Sequence, residues 1–174
     1  MIEYKQAQKT THIKLIKMSE IKEIKNVFVS HYHKDEDSIK TFKKLLSDNY
    51  CIKNYSVTTD KYNDAHNETY IKYEYLKPLI NQSSTLVCLI GPNTHDSKWV
   101  DWEIREAEKL GKQIIGVFIQ GAKDSDIPPA LEESADAIVG WNTHNIEKAL
   151  EGESIFVKSD GSPRTSVSSG RSTC

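Results

Sequence analysis

The residue of this chain best placed for chemistry is Glu103, which falls on the apolar side of a helix predicted over residues 97–110. At about 100° per residue, Trp99 lies on the same side. The remaining stripe consists of Val100, Ile104, Ala107 and Leu110. Burying an unpaired carboxylate costs several kcal/mol, so a glutamate in such a stripe usually has a partner or a function. A structural alternative is a glutamate at the rim of the stripe that reaches water or pairs with a nearby lysine or arginine.

The position of Glu103 in the chain favours a function. The helix follows an apolar strand predicted over residues 84–90 and a Gly-Pro-Asn-Thr turn. It therefore begins at the carboxyl end of a strand, where α/β sheets bind their ligands.

We expect a pocket between the loops after the first and third strands and the start of the Glu103 helix. The candidate substrate-binding residues are Ser30, His31, Tyr32, Asn93, Thr94, Trp99 and Trp102. Aromatic rings stack on a base or on nicotinamide, and a helix N-terminus receives phosphate oxygens. A carboxylate binds ribose hydroxyls and stabilises positive charge on an anomeric carbon. Together, the aromatic rings, the helix N-terminus and the carboxylate suit a nucleotide that contains a ribose.

The elements that must position these residues alternate between strand and helix. Strands are predicted over residues 26–30, 55–58, 84–90, 113–119 and 137–139, and helices over 38–46, 68–82, 97–110 and 144–150. This alternation predicts an α/β fold with a doubly wound, five-stranded parallel sheet of flavodoxin-like topology. The helix over 68–82 is expected to bury Ile71, Tyr75 and Leu79 and to bend near Pro78.

The chain divides into three parts by composition. Residues 1–25 form a polar, lysine-rich N-terminal appendage, residues 26–157 form the α/β domain, and residues 158–174 form a Ser/Gly/Thr-rich tail that we expect to be disordered.

Net charge, apolar content and cysteine content narrow the classes of partner and the compartment that we expect. The net charge is −2, so we expect no nucleic acid and no membrane as partner. No apolar run of transmembrane length is present, and we expect no secretory signal in residues 1–25, because they contain no apolar segment of the kind that such signals have. The three cysteines lack metal-ligand spacing, and Cys88 suits a buried core position. The sequence therefore predicts a cytoplasmic protein.

Other site types fit poorly. His31-x-His33-x-Asp35 has the look of a metal-ligand set, but it lacks a fourth partner, and a solvated loop is favoured over a metal site. The chain has neither a Walker A loop nor a G-x-G-x-x-G sequence. We therefore expect no metal.

Several of these segments resemble the TIR family, and within it the bacterial TIR-like proteins of the Thoeris anti-phage defence system. The resemblance extends from about residue 26 to residue 150. Val27-Phe28-Val29-Ser30-His31-Tyr32 is similar to the family's first strand and loop, and the segment 83–91 with Thr94 to its central strand. Ser97-x-Trp99-Val100-x-x-Glu103 is similar to the family's S-x-W-C-x-x-E helix, with Val100 in place of the usual cysteine.

The resemblance implies a function. Glu103 matches the catalytic glutamate of the members that cleave NAD⁺, so the expected reaction breaks the nicotinamide–ribose bond. NAD⁺ would be the substrate, with no cofactor, and the product would be a cyclic or conjugated ADP-ribose signal. The resemblance also implies a separate effector protein that senses the product, and self-association of the chain.

Two other functions remain open from the sequence. One is a TIR-type adaptor or assembly module that does not use its pocket for catalysis. The other is an α/β domain that binds a nucleotide without cleaving it. An enzyme requires Glu103, whereas an adaptor tolerates its loss.

Overall fold

Strands and helices alternate along the chain in the computed structural model, which describes residues 23–47, 50–54 and 67–165. The strands are β1 (Glu23–His31), β2 (Tyr50–Asn54), β3 (Thr85–Ile90), β4 (Gln113–Phe118) and β5 (Ala137–Val139). The helices are α1 (Glu36–Leu45), α2 (residues 68–82), α3 (Lys98–Lys109), α4 (Pro129–Ser134) and α5 (Thr143–Leu150). The predicted α/β fold is confirmed.

The strands pair in parallel in the order β2-β1-β3-β4-β5. The chain leaves β1 toward β2 on one side and returns to place β3 on the other side. The carboxyl ends of β1 and β3 therefore flank the point where the direction of winding reverses, which is where doubly wound sheets bind ligands.

The sheet has an apolar cluster on each face. Helices α2, α3 and α4 pack on one face, against residues such as Phe28, Leu86 and Ile114. Helices α1 and α5 pack on the other face, against Val29 and Val87 among others. All six residues of β3 are buried, because alternate side chains of a central strand enter opposite clusters.

The second strand and the start of the first differ from the sequence prediction. The structure places β2 at Tyr50–Asn54, whereas the strand was expected over residues 55–58, which lie outside the described residues. Strand β1 starts at Glu23 and pairs with β2 from Glu23↔Tyr50 to Val27↔Asn54. The sheet therefore includes the last three residues assigned to the appendage. Register comes from pairing between strands, which local periodicity does not encode.

Helix α2 differs from its predicted face. Residues Ile71–Leu76 form a π-helical turn in which the Lys77 N–H donates to the Lys72 carbonyl. A π turn contains one more residue than an α-helical turn, so the buried face shifts by one position. Leu76 is therefore fully buried, whereas Tyr75 is 49% exposed. The wider turn ends just before Pro78, whose ring would clash with the carbonyl four residues earlier in a regular α-helix.

Part of the predicted tail is folded. The Lys158 N–H donates to the Ser162 carbonyl at 2.8 Å, and the Arg164 N–H donates to the Phe156 carbonyl at 2.9 Å. The Arg164 side chain also forms an ion pair with Glu132 on α4. The expectation of disorder is therefore wrong for residues 158–165, and residues 166–174 lie outside the described part of the chain.

Within the described ranges, no helix combines the length and the apolar character needed to cross a bilayer.

Candidate active site

Glu103 lies in the second turn of α3, on the side that faces the sheet. Ser97 caps the start of the helix: its hydroxyl accepts the Val100 N–H at 3.3 Å and so satisfies one free amide of the first turn. Packing of the apolar stripe brings Glu103 inward, and only 5% of the residue is exposed. The burial expected from the stripe is thus observed.

Ser30 is the hydrogen-bond partner of Glu103. Its hydroxyl donates to Glu103 Oε2 at 2.5 Å, between residues 73 positions apart in the sequence. Ser30 belongs to β1, is 1% exposed, and lies opposite Cys88 of β3 in the strand register. A predicted binding residue and the predicted catalytic residue are thus in direct contact near the carboxyl ends of β1 and β3.

Burial dominates the electrostatics of this pair. It raises the pKa of Glu103 to about 8, although the hydrogen bond from Ser30 lowers it. Burial and the nearby Glu103 carboxylate also raise the pKa of the Cys88 thiol. Cys88 is therefore an uncharged core residue at neutral pH, as the sequence predicted, since the thiolate is the reactive form of cysteine.

Glu106, one turn further along α3, is also buried but has a different environment. It is 3% exposed, and Lys77 Nζ on α2 lies 2.7 Å from its Oε1. That ion pair raises the pKa of Lys77. The charge of Glu106 is therefore balanced by a lysine, whereas Glu103 receives a hydrogen bond from an uncharged hydroxyl.

Trp99 and Trp102 form an aromatic corner with α2. Both are half-buried against the cluster under α3. Lys72 Nζ lies 5.1 Å from the centre of the Trp99 ring and 5.5 Å from that of Trp102, within cation–π range. The Tyr73 ring meets Trp102 edge-on at 6.0 Å. Lys72 could not be selected from the sequence, because the contact depends on how α2 packs on α3.

The loop after β1 contains the other residues expected from that side. His31 and Tyr32 are half-buried, and the Tyr32 ring lies 4.2 Å from that of His33. Asp35 has a buried Oδ2 atom without a hydrogen-bond partner in the described structure. Burial raises the pKa of Asp35, and the charges of His31 and His33 oppose that rise.

A metal site does not form from these loop residues. In the described part of the chain, no three His, Cys, Asp or Glu side chains are grouped so that they could hold a metal ion.

The loop after β3 uses its polar groups internally. The Thr94 hydroxyl accepts the Gly91 N–H and donates to the Gly91 carbonyl, both at 2.8 Å. Asn93 has a positive φ of 70°, and its N–H donates to Asp126 at 3.2 Å. The structure thus places Asn93 and Thr94 in a hydrogen-bonded turn, where the Thr94 hydroxyl holds the loop and the Asn93 side chain is exposed.

The loops after β1 and β3 approach each other closely at Gly91. A Cβ atom at this position would lie 2.5 Å from Asp35 Oδ2 and 2.8 Å from the Ile119 side chain. Only glycine therefore fits between them without a shift. From the sequence, Asp35 was considered only as part of a possible metal-ligand set and Gly91 only as part of a turn, and neither was predicted as a site residue.

Comparison with known proteins identifies the family. A family model described as the TIR-like domain of the Thoeris protein ThsB matches residues 28–124, which contain all eight predicted site residues. A curated relative from Cytobacillus dafuensis, named "Putative cyclic ADP-D-ribose synthase TIR2", is 26% identical over 126 residues. The match covers 70% of this chain and 32% of the relative, so the chain spans about a third of that protein's length.

Two solved structures match this chain with low structural similarity. A 3-dehydroquinate dehydratase-like protein from Bifidobacterium longum is 12% identical with a TM-score of 0.41, and the match covers 75% of this chain and 94% of that one. A conserved protein from Enterococcus faecalis V583 is 16% identical with a TM-score of 0.39, over 80% and 93% of the two chains. Structural similarity at this level does not indicate a shared function.

Proposed function

The chain belongs to the family of TIR-like domains of the Thoeris protein ThsB, and we propose that it cleaves the nicotinamide–ribose bond of NAD⁺. The observation that carries the proposal is the buried Glu103 carboxyl, hydrogen-bonded to Ser30 near the carboxyl ends of β1 and β3. The name of the Cytobacillus relative supports the same chemistry.

In the proposed reaction the bond between the nicotinamide nitrogen and the ribose C1′ breaks. The electron pair leaves with nicotinamide, which becomes neutral, and positive charge develops on the ribose. The Glu103 carboxylate stabilises this charge in a site where water does not screen the attraction. A nucleophile then attacks C1′ and loses its proton. Water as nucleophile gives ADP-ribose, whereas a group of the same nucleotide gives a cyclic product.

The raised pKa of Glu103 has a consequence for this step. With a pKa of about 8, the carboxyl is mostly protonated at neutral pH. A nicotinamide ring carries a positive charge, and an opposite charge nearby favours the carboxylate. Binding of NAD⁺ thus generates the form of Glu103 that the reaction needs.

The remaining candidate residues have proposed roles around this carboxyl. Ser30 orients the Glu103 carboxyl through its hydrogen bond. Trp99 and Trp102 lie at the corner between α2 and α3, where an indole ring offers a flat surface to a base or to nicotinamide. His31, Tyr32 and Asn93 border the approach from the loops after β1 and β3, and Thr94 shapes the second loop.

We further propose a place for this reaction in anti-phage defence. The product is an ADP-ribose derivative that a separate effector protein recognises, and NAD⁺ is a substrate rather than a cofactor.

Self-association of the chain is also part of the proposal, and it predicts that turnover per protomer rises with protein concentration. A constant specific activity, with a monomeric mass by light scattering over the same range, would contradict it.

A second candidate function is a non-catalytic assembly module. It is favoured by the low exposure of Glu103, because a buried pair of Glu and Ser also serves to hold a helix against a sheet. A third candidate is a domain that binds the nucleotide without cleaving it. Such a domain would bind NAD⁺ and release no nicotinamide.

The deciding experiment measures nicotinamide release. Purified protein is incubated with NAD⁺, with and without extract of phage-infected cells, and the products are identified by mass spectrometry. We expect Glu103→Gln to lower nicotinamide release by at least about a hundredfold, because the amide carries no charge to stabilise the transition state.

Glu106→Gln provides the matched control. It also replaces a buried glutamate of α3 by its amide, but one paired with Lys77. Glu106→Gln should retain activity. Full activity in Glu103→Gln, or equal loss in both variants, would contradict a catalytic role for Glu103.

A further inference from the structure

A cavity of about 540 Å³ opens at the carboxyl ends of β4 and β5. Its walls come from α1, from the loop over residues 119–122 after β4, from Gly140 and Trp141 after β5, and from Ser159. Helix α1 packs on the face of the sheet opposite α3. The cavity is therefore separate from the Glu103 site, and no residue proposed above for NAD⁺ lines it.

The volume and position of this cavity fit a ligand site. Small-molecule sites typically enclose several hundred Å³, and the carboxyl edge is the binding edge of such sheets. A Cβ atom at Gly121 or at Gly140 would meet nothing within 4 Å. Open space therefore adjoins the backbone at both glycines.

The residues that line the cavity favour an uncharged ligand. Among the described residues that line the cavity, none is charged, and the polar side chains are those of Ser38, Thr41, Gln120 and Ser159. Asp124 accepts hydrogen bonds from the backbone and the hydroxyl of Ser159, both at 3.1 Å. A carboxylate beside the wall and no lysine or arginine in it disfavour phosphate, which proteins bind with cationic groups or helix N-termini.

One wall is aromatic. The Trp141 ring packs against Phe42 of the core, with 6.3 Å between ring centres and a tilt of 60°. Trp141 is half-buried, so the core holds the indole in place. A rigid indole beside hydroxyl and amide groups is suited to a flat ring that carries hydroxyl groups.

We propose that this cavity is a second small-molecule site, which takes an uncharged, ring-containing and hydroxyl-bearing ligand of nucleoside size. The ring would lie along Trp141, and the hydroxyl groups would reach Ser38, Thr41 and Gln120. The proposal does not depend on whether Glu103 cleaves NAD⁺.

The test is calorimetric titration of the full chain with adenosine, and with AMP as the charged comparison. We expect adenosine to bind more tightly than AMP. Gly140→Leu places a side chain in the open space and should weaken adenosine binding by at least about tenfold. Gly140→Ala is the matched control that adds one methyl group, and it should bind more tightly than Gly140→Leu.

Thr41→Leu obstructs the cavity from α1 and serves as an independent variant should Gly140→Leu unfold, which circular dichroism would detect. Glu103→Gln should bind adenosine as the unmodified protein does. The proposal is wrong if adenosine does not bind, if AMP binds equally well, or if both obstructing variants bind like the unmodified protein. It is also wrong if Glu103→Gln alone abolishes binding, because adenosine would then occupy the other site.

Discussion

Glu103 and Ser30 form a contact in which burial and hydrogen bonding act in opposite directions. Removal from water disfavours the charged carboxylate, whereas a donated hydrogen bond favours it. Burial is the larger effect, so the pKa of Glu103 rises to about 8. A carboxyl in this state is poised to ionise near neutral pH, which suits the proposed reaction with a cationic substrate.

The Ser30 hydrogen bond should set the pH dependence of the reaction. Since this bond lowers the pKa of Glu103, Ser30→Ala should raise that pKa. If the carboxylate is the active form, kcat/KM rises as Glu103 loses its proton. The rise should therefore move to higher pH in Ser30→Ala, and activity should recover at pH values above the raised pKa.

A merely structural role of Ser30 would give a different result. Ser30→Ala would then lower activity by the same factor at every pH. Ser30→Thr keeps the hydroxyl and provides the control, and it should retain the pH profile of the unmodified protein if the extra methyl group is accommodated.

The same pKa predicts how stability depends on pH. The folded-state pKa of about 8 lies above the value of 4.5 for a glutamate exposed to water, so the folded protein holds this proton more tightly than the unfolded chain. The contribution of Glu103 to the free energy of unfolding is therefore fully present below about pH 4.5 and falls as pH rises toward 8. The slope of this one group approaches about 1.4 kcal/mol per pH unit.

Urea unfolding at several pH values measures this contribution. Glu103→Gln mimics the protonated form, so its stability should fall less steeply with pH than that of the unmodified protein. The variant should consequently be the more stable protein near pH 8. Parallel pH curves for the two proteins would contradict a raised pKa at Glu103.

At the scale of elements, the site depends on how closely two loops approach. Gly91 lies directly after β3, and Asp35 immediately precedes α1. The Oδ2 atom of Asp35 and the Ile119 side chain occupy the space that a Cβ at position 91 would need. The loops after β1 and β3 can therefore approach this closely because residue 91 has no side chain.

Gly91→Ala tests this approach. The added methyl group should lower the free energy of unfolding by about 1–3 kcal/mol, as other overpacked sites do. Asp35→Ala should offset part of the loss, so the double variant should be less destabilised than the sum of the single ones. Full additivity would show that the two residues do not meet.

Helix α2 shows a second effect at this scale. Its π turn brings Leu76 and Ile80 to the core, and the same helix provides Lys72 beside the two tryptophans and Lys77 beside Glu106. The contacts of α2 with α3 therefore involve residues that precede and follow Glu103 on α3, as well as contributing to the core.

For the whole molecule, the folded C-terminal segment predicts where the chain can be shortened. Truncation after Val157 removes the Arg164–Glu132 ion pair, the Ser159–Asp124 hydrogen bonds and the bridge between Val157 and Pro163. It should lower the melting temperature. Truncation after residue 165 keeps all of these contacts and should leave the melting temperature unchanged.

Thermal unfolding of the two shortened proteins and the full chain distinguishes the outcomes. Equal melting temperatures in all three would mean that residues 158–165 contribute nothing to stability. At the other end of the chain, a shortened protein must keep Glu23, because β1 pairs with β2 from that residue onward.

Local patterns were sufficient for the features that depend on neighbouring residues. The unbroken apolar run of β3 predicted a central strand, and the stripe of α3 predicted that Glu103 is buried. Both follow from the periodicity of a single element, in which position along the chain determines which side a residue faces. The family was likewise recognisable from short motifs spread over these elements.

Contacts between distant segments were decided by the tertiary structure alone. Ser30 meets Glu103 across 73 positions, β2 takes its register from β1, and the second cavity draws its walls from four separate parts of the chain. The pKa of Glu103 depends on how fully other elements enclose it. None of these follows from periodicity, because each is set by packing between elements, which bring together residues that are far apart in the sequence.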